Sequence, residues 1–239
     1  MSKLNHAQEG RAPLPTDRPA LNGASIASHT VKRVGIVGAN QTGIGIAMQL
    51  LDADIPVTVF ELDRASLDQG IAIARSGYQA AFLQRRLDSA TRDRRMALLS
   101  GSINFHHLKD CDLVIEAVST YIEAKGALFR RLDETVKPGA ILMTCTSPSR
   151  VDQLAGCTRR AGEVLGLHLS CPAQVGETWT LIPGKGNSGQ SLATMVALVQ
   201  HLRKTCVVSG GWASAGAHDS SPQRGGDDAL SWYVDQAQE

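Results

Sequence analysis

The sequence predicts an α/β fold in which helices cover both faces of a doubly wound, mainly parallel sheet. The first observation is a series of apolar or β-rich runs, at 33–38, 57–61, 103–105, 112–117, 140–145, 163–168 and 205–208. The second is that helical patterns lie between several of these runs. Strands that alternate with helices form a sheet that is buried on both faces.

The helical patterns can be justified in chain order. Residues 41–53 follow a glycine-bearing turn, and 64–88 form a long, charge-rich segment. Residues 121–136 have apolar side chains at roughly helical spacing, and Pro138-Gly139 ends that helix. Residues 189–203 place their apolar side chains on one face.

Composition divides the chain into three parts. Residues 1–30 contain prolines among small and polar residues, so we expect a flexible leader. Residues 31–208 hold all the periodic patterns and predict one domain. Residues 209–239 are poor in apolar residues and rich in Gly, Ser and Asp, which predicts a low-complexity, disordered tail.

Charge and cysteine usage exclude several classes of function. The formal net charge is +1, which argues against nucleic acid or a membrane surface as the main partner. No apolar stretch reaches the roughly 18 residues of a membrane span, and the amino terminus lacks the apolar segment of a secretory signal. The five cysteines have no C-x-x-C spacing, so we expect free thiols in a reducing cytoplasm, and no metal site.

The most informative segment is the turn after the first apolar run. That run ends at Gly38, Gly43 follows as a helical pattern begins, and the second run ends on Glu61. A glycine-bearing strand-to-helix turn with an acid about 20 residues later is the dinucleotide-binding fingerprint of Rossmann-type folds. The helix amino terminus attracts a pyrophosphate, and the acid favours NAD because it would repel the extra phosphate of NADP. The predicted cofactor-binding positions are Gly38, Ala39, Asn40, Gln41, Thr42, Gly43 and Glu61.

Asn40 departs from this fingerprint, because it stands where the second glycine allows the backbone to approach the pyrophosphate closely. Asn tolerates positive φ better than most residues, so we expect the turn to survive. The side chain occupies space near the phosphates, and we therefore expect weakened cofactor affinity.

Several residues that could take part in catalysis or binding directly follow predicted strands. The carboxyl ends of parallel strands lie along one edge of the sheet, which is called the rim below. His168 could accept a proton from a substrate hydroxyl as a general base. A histidine at a strand end more often bonds a neighbouring carbonyl and has no catalytic role. Ser147 could hydrogen-bond the same hydroxyl, although Ser-Pro-Ser is also ordinary turn and helix-cap chemistry.

Taken together, these segments resemble the NAD-binding domain of 3-hydroxyacyl-CoA dehydrogenases from about Val31 to Val208. The resemblance rests on VGIVGANQTGIGIA, VTVFELD, DLVIEAV, Lys125 with ALFRRLD, the CTS of CTSPS, and GLHLSCP. It implies that His168 is the catalytic histidine, that Ser147 positions the substrate and that Lys125 lies near the cofactor. The implied reaction oxidises the 3-hydroxyl of an acyl thioester, on coenzyme A or an acyl carrier, reversibly to a 3-keto group, as in fatty acid metabolism.

The chain also departs from the family pattern within the site. Cys145 replaces the Asn of Asn-Thr-Ser, and Ser119-Thr120-Tyr121 replaces Val-Glu-Asn after the fourth strand. Cys171 replaces an Asn in the loop after the histidine. Thr180 replaces the glutamate that orients the imidazole, while Glu177 lies three residues out of register. Loss of that carboxylate lowers the basicity of the histidine and leaves its ring less constrained.

A helical domain that closes over the acyl chain follows in the family, whereas only the tail from Ser209 follows here, so that domain is expected to be absent. Two hypotheses remain open. The chain is an NAD-dependent dehydrogenase with weak or redirected activity, completed by homo-oligomerisation or by a separate helical subunit. Alternatively, it is a catalytically impaired dinucleotide-binding module, a degenerate or truncated paralogue.

Overall fold

The computed structural model of the protein describes residues 28–145, 148–169 and 176–209. Within them, eight strands form one sheet: β1 (Val34–Val37), β2 (Val57–Phe60), β3 (Leu99–Ser102), β4 (Leu113–Glu116), β5 (Ile141–Thr144), β6 (Val164–Leu169), β7 (Thr178–Pro183) and β8 (Thr205–Val208). Six α-helices accompany them: α1 (Gln41–Asp52), α2 (Arg64–Leu83), α3 (Ser89–Ala97), α4 (Ile122–Thr135), α5 (Pro148–Ala155) and α6 (Gly189–His201).

The strand order is β3-β2-β1-β4-β5-β6-β7-β8, so the winding direction reverses between β1 and β4. Every neighbouring pair is parallel except β6 with β7. The predicted doubly wound, mainly parallel α/β fold is therefore confirmed. Such a sheet binds ligands in the crevice beyond the carboxyl ends of its strands, at the point of reversal.

The core consists of two apolar layers, one on each face of the sheet. Alternation along the strands divides their side chains between the layers, so that Ile36 packs in one and Val37 in the other. The first layer includes side chains of α1, α2 and α6, and the second includes those of α4 and α5. Trp179 is fully buried in the first, where its indole N–H donates to Gln49 Oε1 at 2.8 Å.

Side-chain caps explain where several helices begin. Asp63 Oδ2 accepts from the Ser66 N–H at the start of α2, and Ser188 Oγ accepts from the Ser191 N–H at the start of α6. Asp88 caps α3 in the same way. The segment 64–88 is therefore not continuous, because α2 ends at Leu83 and Arg85 adopts a positive φ of 57° before the Asp88 cap.

Three further details correct the sequence predictions. The strand expected at 103–105 was wrong, since the strand is Leu99–Ser102 and a short 3₁₀ helix follows at Phe105–Leu108. Strand β7 was missed, although the Thr-Trp-Thr-Leu alternation after residue 177 is a strand signal. Helix α5, which begins at Pro148, was not predicted.

The predictions for 1–27 and 210–239 lie outside the described residues. The His29 N–H donates to Thr194 Oγ1 at 3.0 Å. Among the described residues, no helix combines the length and the apolar character that a bilayer-spanning segment needs.

Candidate cofactor and catalytic site

The sheet register defines the rim on which the candidate residues lie. One row of paired residues crosses the sheet: Phe60, Val37, Glu116, Thr144, Gly166 and Ile182. The residues that follow this row in β2, β1 and β4 are Glu61, Gly38 and Ala117. In β6, His168 is two residues beyond Gly166, at the same carboxyl edge. Ser147 is not among the described residues.

The turn after β1 needs glycine at two positions. Gly38 has a φ of 106°, and a Cβ there would lie 3.3 Å from Val118 Cγ2 and 3.5 Å from the Ala117 carbonyl oxygen. A Cβ on Gly43 would lie 2.0 Å from the Gly38 carbonyl oxygen. That oxygen belongs to the backbone, so it could move away only if the turn changed its conformation. The turns after β1 and β4 therefore face each other closely across the reversal point.

Asn40 is the N-cap of α1, with extended backbone angles of φ −74° and ψ 177°. The expectation that its tolerance of positive φ preserves the turn was wrong, because the position does not require positive φ. Its Oδ1 accepts from the Gly43 N–H at 3.0 Å, and its Nδ2 donates to the Ala117 carbonyl at 2.6 Å. The side chain thus connects the two turns.

Glu61 is held beside the glycine turn by two backbone donors. Its Oε2 accepts from the Ala39 N–H at 3.0 Å and its Oε1 from the Leu62 N–H at 2.8 Å. The carboxylate is half-buried at the end of β2, where it can accept from ribose hydroxyls. The glycine turn and this acid fit NAD, and the Asn40 side chain lies at the amino terminus of α1, where a helix binds a pyrophosphate. Thr120 Oγ1, in the loop after β4, is buried without a hydrogen-bond partner.

Glu116 and Lys125 form a buried ion pair beneath the rim. Glu116 is 0% exposed and Lys125 4%, and Lys125 Nζ lies 2.9 and 2.8 Å from the two carboxylate oxygens. The same carboxylate accepts from the Val118 N–H at 2.6 Å and from Thr144 Oγ1 at 2.7 Å. The ammonium group of Lys125 is therefore bonded to protein, and the pair fixes the turn after β4.

Sequence reasoning missed Glu116. The available signal was an acid as the last residue of an otherwise apolar strand, with a lysine nine residues later on the next helix. A buried carboxylate in such a strand needs a charged partner. Cys145 lies next to this pair, and burial together with the Glu116 charge raises the pKa of its thiol to about 12. Cys145 is thus an unreactive thiol at neutral pH.

His168 and Thr180 are register partners in the antiparallel pair of β6 and β7. Directly opposed residues of such a pair present their side chains to the same face. Thr180, at the position where the resemblance implies an orienting glutamate, is therefore the cross-strand neighbour of the histidine. Glu177 precedes β7 at an odd offset from Thr180, and strand alternation directs such a residue to the other face.

Helix α5 covers the face of the sheet to which His168 belongs. A Cβ on Gly166 would lie 2.7 Å from Val151 Cγ2 of α5, and Gly166 and His168 share a face because they are two residues apart. Helix α5 begins at Pro148. In the sequence, Ser147 immediately precedes the helix that packs against the strand of the histidine.

A cavity of about 500 Å³ lies at the opposite edge of the sheet, away from these residues. Its lining includes Asp112, Lys137 and Thr194. Two of its charged groups are paired, since the Asp112 carboxylate lies 2.6 Å from Lys137 Nζ and also accepts from the Lys32 and Arg33 N–H groups. We assign no chemistry to this cavity.

Three features define a dinucleotide-binding domain of Rossmann type. They are the reversal of strand order, the capped glycine turn at the reversal point and the acid at the end of β2. The sequence matches the family described as 3-hydroxyacyl-CoA dehydrogenase, NAD binding domain, over residues 33–211. The chain belongs to this family, whose cofactor is NAD.

Individual relatives agree with this assignment. The peroxisomal fatty acid beta-oxidation multifunctional protein MFP2 of Arabidopsis thaliana is 27% identical over 206 residues, which are 85% of this chain and 28% of the relative. Among solved structures, M. tuberculosis FadB2 is 31% identical with a TM-score of 0.73, covering 76% of this chain and 64% of that one. The (S)-3-hydroxybutyryl-CoA dehydrogenase PaaH1 of Ralstonia eutropha is 28% identical with a TM-score of 0.72, covering 75% and 63%. The chain thus spans less than two thirds of each of these relatives.

Proposed function

We propose that the protein is an NAD-dependent oxidoreductase that interconverts the 3-hydroxyl and 3-keto groups of an acyl thioester. The observation that supports this most strongly is the shared carboxyl rim of the glycine turn, Glu61 and His168. The strands β1 and β6 are three strand spacings apart, about 14 Å. An extended dinucleotide can reach from one to the other along the rim.

NAD, when bound, supplies the hydride acceptor. The glycine turn and Glu61 hold its adenosine half, and His168 takes the proton of the substrate hydroxyl as a general base and returns it in the reverse direction. Ser147 donates a hydrogen bond to the same substrate oxygen. The substrate is a thioester on coenzyme A or on an acyl carrier.

Because residue 180 is a threonine, we expect the rate of this reaction to be low. A threonine hydroxyl can hydrogen-bond the imidazole, but it is neutral and cannot stabilise the imidazolium that forms during proton transfer. Correct placement and charge of a general base contribute about 10²–10⁴-fold to a rate. We therefore place the activity well below that of a homologue with a carboxylate at this position.

The second candidate is a catalytically impaired NAD-binding module. One observation favours it: Thr180, which cannot carry a carboxylate charge, is the cross-strand neighbour of His168. Both candidates require NADH binding, and they differ only in turnover.

Four proteins separate the candidates: the natural chain, His168→Ala, Thr180→Glu and Thr180→Gln. Each is mixed with NADH and acetoacetyl-CoA, the absorbance of NADH is followed, and NADH binding is titrated by fluorescence. The enzyme predicts turnover that disappears in His168→Ala and rises at least about tenfold in Thr180→Glu. The Thr180→Gln control has a similar shape without the charge and should not reproduce that gain.

Intact NADH binding without turnover in the natural chain would select the module. If Thr180→Glu then acquires turnover, the catalytic framework is intact and only the carboxylate is missing. Turnover that persists in His168→Ala would remove the histidine from the mechanism.

We propose that the described domain pairs with a second copy of the chain or with a separate helical subunit. Val207 and Val208 on the edge strand β8 are 42% and 41% exposed, which supports an apolar partner surface. Size-exclusion chromatography tests this, because a monomer at all concentrations and in a cell extract would contradict it.

The proposed compartment is the cytoplasm, supported by the four free cysteines among the described residues. Since one relative is named as peroxisomal, cell fractionation is the test.

A further inference from the structure

The Asn40 side chain bridges the crevice in which a dinucleotide would lie. Its two hydrogen bonds join groups on opposite sides of the reversal point, namely the Gly43 N–H on α1 and the Ala117 carbonyl after β4. The two partners are far apart in sequence, since Ala117 is 77 residues from Asn40. A glycine at this position could make neither bond.

The first bond uses one of the first-turn amides that a helix can offer to a pyrophosphate. The amides in the first turn of a helix have no partners within the helix and provide the anion site. In this protein the Gly43 N–H is already taken by a neutral oxygen of the chain itself at 3.0 Å. A phosphate oxygen that is to approach that amide must displace the Asn40 carboxamide.

The second bond anchors the carboxamide to a rigid acceptor. Glu116 Oε1 accepts from the Val118 N–H at 2.6 Å, which fixes the peptide unit next to the Ala117 carbonyl. Glu116 is itself held by Lys125 and fully buried. The acceptor therefore cannot follow the amide when it moves, and displacement costs the bond from Nδ2 as well.

We propose that Asn40 is an intramolecular latch that occupies the pyrophosphate position in the cofactor-free protein and must open before NAD binds. The inference rests on the proposed NAD-dependent function, and it concerns affinity rather than catalysis. The latch lowers the affinity for the dinucleotide by the cost of two hydrogen bonds. It also stabilises the cofactor-free protein, because it connects the turns after β1 and β4.

Two variants at position 40 separate the contributions of the two hydrogen bonds. Asn40→Gly removes both, whereas Asn40→Ser can still cap the Gly43 N–H but is too short to reach the Ala117 carbonyl. We expect Asn40→Gly to bind NADH about tenfold more tightly than the natural chain and Asn40→Ser to be intermediate. The latch also predicts that the cofactor-free Asn40→Gly protein melts at a lower temperature and shows a larger upward shift of Tm with saturating NADH.

Ser188→Gly is the matched control, because Ser188 caps α6 through the Ser191 N–H and lies far from the glycine turn. It should lower the Tm of the cofactor-free protein without changing the Kd for NADH. The Kd for NADH is measured by fluorescence titration and the Tm by thermal melting, and neither measurement depends on turnover.

The outcomes are distinct. Tighter binding in Asn40→Gly supports both the latch and the cofactor assignment. Equal or weaker binding in Asn40→Gly, with clear binding by the natural chain, overturns the latch and leaves the proposed function standing. Absence of binding by all variants overturns both.

Discussion

Replacing Lys125 with methionine tests whether the ion pair beneath the rim is a structural support. Methionine has a similar length and no charge, so the change leaves the Glu116 carboxylate without its only cationic hydrogen-bond partner among the described residues. That carboxylate is 0% exposed and keeps two neutral donors, the Val118 N–H and Thr144 Oγ1. It cannot recover solvation from water.

The loss in the free energy of unfolding can be worked out from the burial of this pair. Breaking a buried pair by removing one partner costs about 3–5 kcal/mol, and the two remaining donors place this case near the lower end, at about 3 kcal/mol. For a domain of this size, each kcal/mol lowers Tm by about 2–4 °C, which gives roughly 6–12 °C. The free energy of unfolding is obtained from urea denaturation by linear extrapolation.

Arg64→Met is the control, because it removes one partner of an exposed pair. Arg64 and Asp68 lie 3.0 Å apart, with side chains 71% and 59% exposed, and such pairs contribute less than about 1 kcal/mol. The double variant Glu116→Gln/Lys125→Met should recover part of the loss, since no unpaired charge remains. A loss below about 1 kcal/mol in Lys125→Met, together with weaker NADH binding, would refute the structural role and make Lys125 a direct cofactor contact.

Three further predictions follow from other contacts. Gly43→Ala should abolish NADH binding in a fluorescence titration, because its Cβ would lie 2.0 Å from the Gly38 carbonyl oxygen, and retained binding would contradict the turn geometry. Burial tends to raise the pKa of Asp133, but two arginine partners outweigh it and lower the pKa below the ordinary 3.8, so the stability it contributes is present above pH 3.8 and lost as the pH falls further. Acid titration of Asp133→Asn should therefore show a smaller loss in that range and a lower stability, by about 1–3 kcal/mol, at neutral pH. Burial raises the pKa of the Cys111 and Cys145 thiols to about 11 and about 12, so both should resist iodoacetamide at pH 8 until urea is added, as read by mass spectrometry.

Local sequence patterns were sufficient for most of the fold. Buried parallel strands such as Val34–Val37 are continuous apolar runs, and α4 and α6 have clear helical periodicity. The patterns failed where a short element had a mixed character. The strand near residue 100 is Leu-Ser-Gly-Ser, which has almost no apolar signal, and it forms because β2 offers it a parallel edge.

The candidate site was predictable wherever a residue directly follows a strand. The glycine turn, Glu61 and His168 could be named because each stands at a strand end, and parallel strands bring such positions to one rim. Their roles in catalysis and cofactor binding remain proposals. Glu116 also stands at a strand end, but its role was not predicted, because that role depends on three donors from separate elements.

The sequence by itself determined the α/β alternation, most of its strands and helices, the family resemblance and several residues at the carboxyl edge. Those properties depend on local periodicity and spacing. Only the tertiary structure decided that Thr180 lies opposite His168, that Lys125 is bonded to Glu116 and that Asn40 reaches across to Ala117. Each of these depends on strand register and on contacts between segments distant in sequence, which no local pattern of apolar and polar residues specifies.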